Sequence, residues 1–306
     1  MRLLAPIVAV LLTEIVTSAV IPSKYATFED DFGRFKMMPM SAAAYADDPN
    51  LCVQASFTNA SIYNVVEVIC DAIKVDSCRG FTAVSHYEKT IIVSFRGTNA
   101  FTQLLDEGME TIAASEEFIA GGRVSSYFYE AFKRVWNGGM KDDFLTLRNK
   151  YPDYEVWVTG HSLGGAMASL CAATMVHEGM ANAQKLVMVT FGQPRVGDQT
   201  FADAHNALVP FGYRVVHNRD SVPHVPPKHF PAAFFDGYVH HASEVFYEND
   251  MSFGSTYRVC NADNQSQCSD SLWVTVSVTD HLHYYQKQEM FPDFGEDGCP
   301  VKFLTT

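Results

Sequence analysis

The residues best suited to catalysis form the pentapeptide Gly-His-Ser-Leu-Gly at 160–164, which fits the Gly-x-Ser-x-Gly pattern of a nucleophile elbow. That pattern requires a strand before the serine and a helix after it. Tyr154 to Thr159 alternates large and β-branched residues as a buried strand does, and Leu163 to Val176 contains helix-forming residues without a proline. Because both flanks are in register, the sequence predicts that Ser162 is a catalytic nucleophile.

The glycines around this serine have a mechanical role. Gly160 and Gly164 are expected to face each other across a turn too tight for a Cβ, while Gly165 and Ala166 let the helix approach the sheet. The turn would lift the serine oxygen toward a substrate. It would also bring the unpaired N–H groups of the helix N-terminus close to a developing negative charge.

A serine nucleophile needs a general base and an acid that orients the base. In α/β-hydrolase order, the acid and then the histidine follow the serine along the chain. Asp220 lies just past the end of a predicted strand, where loops of parallel sheets place catalytic groups. Asp198 is the rival, but it directly precedes a helix and is explained as an N-cap. The sequence therefore favours Asp220.

Of the 11 histidines, His281 and His283 best fit the base because they come late in the chain and after Asp220. His161 adjoins the serine, and its side chain should leave the turn in another direction. His217, His224, His229, His240 and His241 are expected to be structural histidines bonded to backbone. Spacing alone leaves His281 and His283 equal, and the absence of a third ligand at a recognisable spacing argues against a metal.

The surrounding segments alternate between strands and helices, which predicts an α/β fold with a largely parallel central sheet and crossover helices. The predicted strands are 81–85, 90–95, 154–159, 185–191 and 213–218, and the predicted helices are 35–46, most of 126–151 with a break at 138–139, 163–176 and 199–207. The strand at 90–95 ends in Arg96-Gly97-Thr98, at the position from which a second oxyanion donor would come. The following segment, Phe101 to Ile119, is amphipathic, so it is a candidate lid or an ordinary surface helix.

The N-terminus and composition limit where the chain acts. Residues 1–19 have a basic start, a short apolar run and small residues at a cleavage site, as in a signal peptide, which predicts a secreted protein with one domain at 20–306. The formal net charge of -13 disfavours nucleic acid and strongly anionic membranes as partners. No later segment is long and apolar enough to cross a membrane. Sequons at Asn59 and Asn264 would be glycosylated if exposed.

Seven cysteines in a secreted chain predict three disulfides and one free thiol. Cys171 falls inside the helix after Ser162 and is expected to be free. The remaining six allow 15 pairings. Cys70 and Cys78 are close in sequence, as are Cys260 and Cys268, so each pair could close a loop, and Cys52 would then meet Cys299.

Five motifs in order resemble the class 3, or fungal-type, lipase family of secreted α/β-hydrolases. They are Ser-Phe-Arg-Gly-Thr at 94–98, Val-Thr-Gly-His-Ser-Leu-Gly-Gly-Ala at 158–166, Phe-Gly-Gln-Pro-Arg-Val-Gly-Asp at 191–198, Asp-Ser-Val-Pro-His at 220–224 and Asp-His-Leu at 280–282. The resemblance covers roughly residues 35 to 300. It implies that His281 rather than His283 is the base, and that Thr98 and the backbone N–H of Leu163 hold the oxyanion.

The resemblance also implies the activity. Members of the family hydrolyse carboxylic esters, mostly triacylglycerols at a lipid surface, by a Ser-His-Asp mechanism without a metal or other cofactor. We therefore expect a triacylglycerol lipase that acts as a monomer. A phospholipase A1 or a soluble carboxylesterase with the same triad is the alternative, and an inactive lipid-binding protein is a remote one.

Overall fold

The computed structural model describes residues 24–70, 77–97, 109–228, 237–261, 266–286 and 289–305. Its strands are β1 Ala60–Ile69, β2 Ser77–Ser85, β3 Thr90–Phe95, β4 Ser115–Glu117, β5 Arg123–Ser125, β6 Glu155–His161, β7 Leu186–Phe191, β8 Gly212–His217, β9 Glu244–Tyr247 and β10 Arg258–Cys260. The α-helices are α1 Asp30–Phe32, α2 Met38–Ala43, α3 Asn50–Ser56, α4 Met109–Ala113, α5 Ser126–Val135, α6 Lys141–Lys150, α7 Leu163–His177, α8 Gln199–Leu208, α9 Val278–Leu282 and α10 Phe291–Glu296.

The described strands form an eight-stranded sheet in the order β1-β2-β3-β6-β7-β8-β9-β10 and a separate ribbon of β4 and β5. The central run from β3 to β9 is parallel, and the pairs β1–β2, β2–β3 and β9–β10 are antiparallel. The predicted largely parallel α/β sheet is confirmed. Strands β1, β9 and β10 were not predicted.

Both faces of the central strands are covered, which explains their continuous apolar sequences. Along β6, Val156 and Val158 pack into the cluster that contains α5, α6 and α7, whereas Trp157 between them packs into the cluster on the opposite face, which contains α2 and α10. Every residue of β3 and β7 is buried. The sheet is therefore a rigid middle layer, and the loops at the carboxyl ends of its parallel strands are held in fixed positions.

Several predicted boundaries change in the structure. The predicted helix 35–46 is a π turn, Gly33–Met37, followed by α2. The predicted break at 138–139 is a π turn, Trp136–Met140, in which Gly139 has a φ of 138°. Such left-handed backbone favours glycine and accounts for the break between α5 and α6.

The candidate lid is only partly described, because its residues 101–108 lie outside the described ranges. From residue 109 the chain forms the short helix α4 and then β4, so a surface helix that continues to Ile119 is ruled out. The Ile112 carbonyl accepts a 2.7 Å hydrogen bond from Ser125 Oγ, and the Ala114 carbonyl accepts from Ser126 N at 2.9 Å. Residues 112–117 are therefore tied to the body of the protein.

The cysteine prediction is confirmed. Disulfides join Cys52 to Cys299, Cys70 to Cys78 and Cys260 to Cys268, and Cys171 is a buried free thiol whose pKa is raised by burial. The first bridge spans 247 residues and ties α3 to the chain that follows α10. Among the described residues, no helix is long and apolar enough to cross a bilayer.

Candidate active site

Ser162 occupies a strained turn between β6 and α7. Its φ of 60° and ψ of -128° lie in a region that residues with a side chain rarely adopt. A Cβ built on Gly160 would be 2.2 Å from the Gly164 carbonyl oxygen, which confirms the expected contact between these two residues. A Cβ on Gly164 would instead strike the Phe95 carbonyl oxygen at 2.2 Å, so the elbow is wedged against the end of β3.

Asp220 and His281, predicted as acid and base, form a buried pair. His281 Nδ1 lies 2.9 Å from Asp220 Oδ2, and both side chains are almost fully excluded from solvent. Because a carboxylate can only accept, Nδ1 carries the proton, and the lone pair of the neutral ring is on Nε2. This is the tautomer that a general base needs in order to accept a proton at Nε2.

The chain around this pair is shaped to hold it. Asp220 follows β8, and a parallel bridge joins it to Ser277, which begins the segment that leads to His281. Gly192, at the end of β7, has a φ of 56°, and a Cβ there would be 2.7 Å from His281 Nδ1 and 2.9 Å from Asp220 Oδ2. Only glycine leaves room for the pair at this point.

Two further donors orient the Asp220 carboxylate. Tyr284 Oη donates to Oδ2 at 2.6 Å, and the Val222 N–H donates to Oδ1 at 2.8 Å. Burial and the neighbouring Asp220 charge raise the pKa of Tyr284 well above its ordinary value, so its hydroxyl remains a donor. The sequence analysis missed Tyr284, although its place three residues after His281 was the available signal.

Both ring nitrogens of His161 are hydrogen-bonded, and its ring contacts His281, the predicted base. Its Nε2 lies 2.8 Å from the His281 carbonyl oxygen and its Nδ1 lies 2.8 Å from Tyr45 Oη. Since a carbonyl only accepts, Nε2 carries the proton and Nδ1 accepts from Tyr45. The imidazole stacks between His281, with centroids 4.5 Å apart, and Phe291, at 4.1 Å.

The environment of His161 keeps it neutral. Burial lowers its pKa well below the ordinary value, and the nearby His281 ring lowers it further. A neutral ring can stack on His281 without repelling the positive charge that a base acquires when it takes a proton. Since His161 adjoins Ser162 in the chain, the stack holds the His281 ring against the elbow.

The Ser162 hydroxyl is not used in a hydrogen bond within the described part of the chain. The side chain is buried. Leu163, the predicted oxyanion donor, is the first residue of α7, where N–H groups lack intrahelical acceptors. Thr98, the other predicted donor, lies outside the described residues. Gly97 before it is so close to the elbow that a Cβ on it would be 3.1 Å from Ser162 Cβ.

The rival residues have structural roles. Asp198 caps α8, accepting from Phe201 N at 2.8 Å, as expected of an N-cap. His283 Nδ1 bonds to the Thr279 carbonyl oxygen at 2.7 Å, away from Asp220. His217, His240 and His241 each bond a backbone carbonyl, as expected of structural histidines. Among the described residues, no three His, Cys, Asp or Glu side chains are grouped so that they could hold a metal ion.

Known proteins resemble this chain in sequence. The family model described as lipase (class 3) matches residues 92–230. A lipase of Caenorhabditis elegans is 38% identical over 290 residues, which cover 86% of this chain and 80% of the relative. The lipase of Rhizomucor miehei is 39% identical over 204 residues, which cover 65% of this chain and 52% of the relative, about half of its length.

Solved structures resemble it in fold. Lipase II from Rhizopus niveus superimposes with a TM-score of 0.74 at 26% identity, covering 87% of this chain and 98% of that one. A triacylglycerol lipase whose catalytic centre is described as a serine protease triad superimposes with a TM-score of 0.68 at 28% identity, covering 84% and 95%. With the worm relative matched along most of both sequences, the chain belongs to the class 3 lipase family, with the α/β-hydrolase fold.

Proposed function

We propose that this protein is a serine ester hydrolase that cleaves the carboxylic ester bonds of lipids, with triacylglycerols as its main substrate. The observation that carries the proposal is the buried Ser162 Oγ at a strained elbow, next in the chain to His161, whose ring stacks on His281 of the His281–Asp220 pair. Buried Ser41 and Ser169 also lack a partner among the described residues, so the strained elbow and the neighbouring acid–base pair are what distinguish Ser162. A carrier protein has no use for all three groups, which argues against an inactive lipid-binding protein.

In the proposed reaction, Ser162 Oγ attacks the ester carbonyl while His281 Nε2 takes its proton. Asp220 stabilises the imidazolium through Nδ1, and Tyr284 and Val222 hold the carboxylate in place. The N–H of Leu163 and Thr98 stabilise the oxyanion. His281 then protonates the leaving alcohol. Water next attacks the acyl enzyme while His281 takes its proton, and His281 returns that proton to Ser162 Oγ as the fatty acid leaves. No metal or other cofactor takes part.

The relatives support the choice of substrate. The structural neighbours include a triacylglycerol lipase, and a mono- and diacylglycerol lipase of Fusarium solani is 29% identical over 214 residues. A phospholipase A1 or a soluble carboxylesterase with the same triad is the alternative. The protein is proposed to act as a monomer at a lipid–water interface.

The proposed setting is extracellular. Three disulfides are typical of chains that fold in an oxidising compartment, and this supports removal of residues 1–19 as a signal peptide and secretion of a single domain at 20–306. Asn59 is exposed, as a glycan acceptor must be. Asn264 lies outside the described residues.

The test is the hydrolysis rate of the purified mature protein on a short-chain ester, triolein emulsion and phosphatidylcholine, with the short ester scanned through its solubility limit. We expect triolein cleavage and a rise in rate when droplets form, and no activity from Ser162→Ala. Cleavage of phosphatidylcholine without triolein would support the phospholipase. Smooth saturation on soluble ester alone would support the carboxylesterase, and silence on all substrates would refute ester hydrolysis.

A further inference from the structure

The segment from residue 271 to 279 reads Ser-Leu-Trp-Val-Thr-Val-Ser-Val-Thr and contains no charged side chain. Four of its five apolar residues point outward, whereas Leu272 packs against a small core cluster. Trp273 is fully exposed, at 101% of its reference area, Val276 is 76% exposed, and Val274 and Val278 are about half exposed. The polar residues between them, Thr275 and Ser277, are less exposed than their apolar neighbours.

This pattern is the reverse of what a surface segment normally shows. In an alternating half-buried stretch, the apolar positions face the protein and the polar positions face water. Single exposed apolar residues are ordinary, but a run of them without charges marks a surface that meets another apolar phase. The other two tryptophans of the chain, Trp136 and Trp157, are both buried at 3% exposure.

The segment is fixed at both ends. At its start, a short helical turn at Ser269–Ser271 is held because Ser269 N donates to Glu244 Oε1 at 2.8 Å. At its end, Ser277 N donates to the Arg219 carbonyl oxygen at 3.0 Å, and Ser277 Oγ accepts from Asp280 N at 2.9 Å. The exposed side chains are thus presented from a fixed loop.

The loop also adjoins the candidate active site. Ser277 is bridged to Asp220, and it caps helix α9, which carries His281. Val278 is three residues before His281. A surface that covers this loop would therefore cover the rim of the site.

We propose that residues 272–278, the interface loop, dock the enzyme on an uncharged or zwitterionic lipid surface, with Trp273 as the main anchor. The inference rests on the proposed function, because a lipid ester hydrolase must bring Ser162 to such a surface. The lack of charges allows the loop to enter an apolar layer without desolvating an ion. Tryptophan suits the boundary between lipid and water. The net charge of -13 opposes docking on an anionic surface.

The test uses the mature chain carrying Ser162→Ala, so that lipids stay intact, and phosphatidylcholine vesicles. We expect the protein to co-sediment with the vesicles and its tryptophan emission to shift to shorter wavelength. Trp273→Ser should lower the vesicle partition coefficient by about tenfold or more and abolish the shift. Raising the salt concentration should change the partition coefficient little, because the anchor is apolar.

Tyr87→Ser is the matched control. Tyr87 is 75% exposed in the turn between β2 and β3, at the opposite end of the parallel strands, and its loss should leave the partition unchanged. In the active enzyme, Trp273→Ser should slow emulsified triolein hydrolysis about tenfold and leave kcat/KM on a soluble ester unchanged.

Equal partition of the parent, Trp273→Ser and the double variant Trp273→Ser with Val276→Ser would overturn the proposal. So would a concentration-dependent dimer that Trp273→Ser abolishes, without vesicle binding, since the loop would then meet a second copy. If the active enzyme fails on every ester while Trp273-dependent vesicle binding persists, the proposed function is wrong and the docking surface stands.

Discussion

Strand β6 carries a polar cluster at each end. At its amino end, Trp157 lines an apolar cavity of about 270 Å³ together with Lys24 and Tyr25, and Tyr25 is hydrogen-bonded to the Glu155 side chain. At its carboxyl end, the chain turns through His161 and Ser162 into α7. The cavity lies at the amino end of β6, whereas the predicted nucleophile lies at the carboxyl end.

The two ends differ in whether their polar groups are already paired. At the amino end, Tyr25 Oη donates to Glu155 Oε2 at 2.7 Å, Trp157 Nε1 donates to Tyr25 Oη at 3.0 Å, and Lys24 Nζ lies 3.0 Å from Glu155 Oε1. Burial, and then the bond to Glu155, raise the pKa of Tyr25, so it stays a neutral donor. At the carboxyl end, Ser162 Oγ has no partner among the described residues.

The comparison shows that a cavity and a set of groups able to react need not lie at the same place. A cavity whose polar groups satisfy one another is a packing feature with room for an apolar guest. A site that can react keeps one hydrogen-bonding group unused and builds a rigid support around it, as Gly192, Tyr284 and His161 do around the Asp220–His281 pair. The contrast can be tested by matched substitutions at the two ends.

The largest difference is expected between the two carboxylates. Asp220→Asn should lower kcat/KM on a soluble ester by roughly 10³–10⁴-fold, because the amide would hold His281 in the wrong tautomer. Glu155→Gln, at the amino end, should change kcat/KM by less than about twofold, since it lies far from Ser162. Steady-state kinetics on both variants, with circular dichroism to verify folding, measure the contrast. Equal losses from the two variants would contradict it.

A smaller difference is expected between the two tyrosines that donate to these carboxylates. Tyr284→Phe removes a hydrogen bond to the buried Asp220 and should lower kcat by about tenfold. A hydrogen bond to a charged group contributes about 1.5 kcal/mol, which corresponds to a tenfold change in rate. Tyr25→Phe removes the corresponding bond to Glu155 and should lower only the free energy of unfolding, by about 1 kcal/mol. Urea denaturation and kcat, measured on both variants, separate the effects. A kcat that falls equally in both would refute the positioning role of Tyr284.

The last expected effect concerns stability in acid. Burial lowers the pKa of His161, His205, His240 and His241, that of His205 to about 3. An unfolded histidine takes up a proton near pH 6.5, whereas these stay neutral when folded. The free energy of unfolding should therefore fall as the pH drops below about 6.5, by up to about 1.4 kcal/mol per pH unit for each histidine.

His205→Phe tests this pH dependence. The ring of His205 stacks on His241 with centroids 3.7 Å apart, a contact that phenylalanine can keep. Between pH 6 and pH 4, the free energy of unfolding should fall less steeply in the variant than in the parent. The two slopes should differ by about 1.4 kcal/mol per pH unit, the contribution of one proton. Urea midpoints at several pH values give both slopes, and parallel slopes would show that His205 does not contribute.

Local pattern predicted much of the fold and part of the site. The strands at 90–95 and 186–191 are fully buried on both faces, so their apolar runs are continuous and their ends are marked by glycine or polar residues. The elbow could be predicted because its constraints lie within a few residues of Ser162. Asp220 was favoured for similar reasons, as it lies just past a strand.

Other features depend on contacts that sequence spacing does not encode. Tyr45 and His161 are 116 residues apart, and the stack of His161 between His281 and Phe291 joins three distant segments. Strand β1 is an exposed edge with a register shift between Ile62 and Asn64, so its alternation is interrupted. Strand β4 is only three residues long, which is too short to show the two-residue alternation of a strand after the helical pattern that precedes it.

The central claim is that Ser162 is made reactive by its surroundings, and covalent labelling tests it most directly. The folded mature protein would be treated with one equivalent of a fluorophosphonate, digested and sequenced by mass spectrometry. We predict stoichiometric labelling at Ser162, much slower labelling in Asp220→Asn, and none in Ser162→Ala or in the urea-unfolded chain. Labelling of Ser162→Ala at the parent rate, or a parent labelled only at another residue, would contradict the claim.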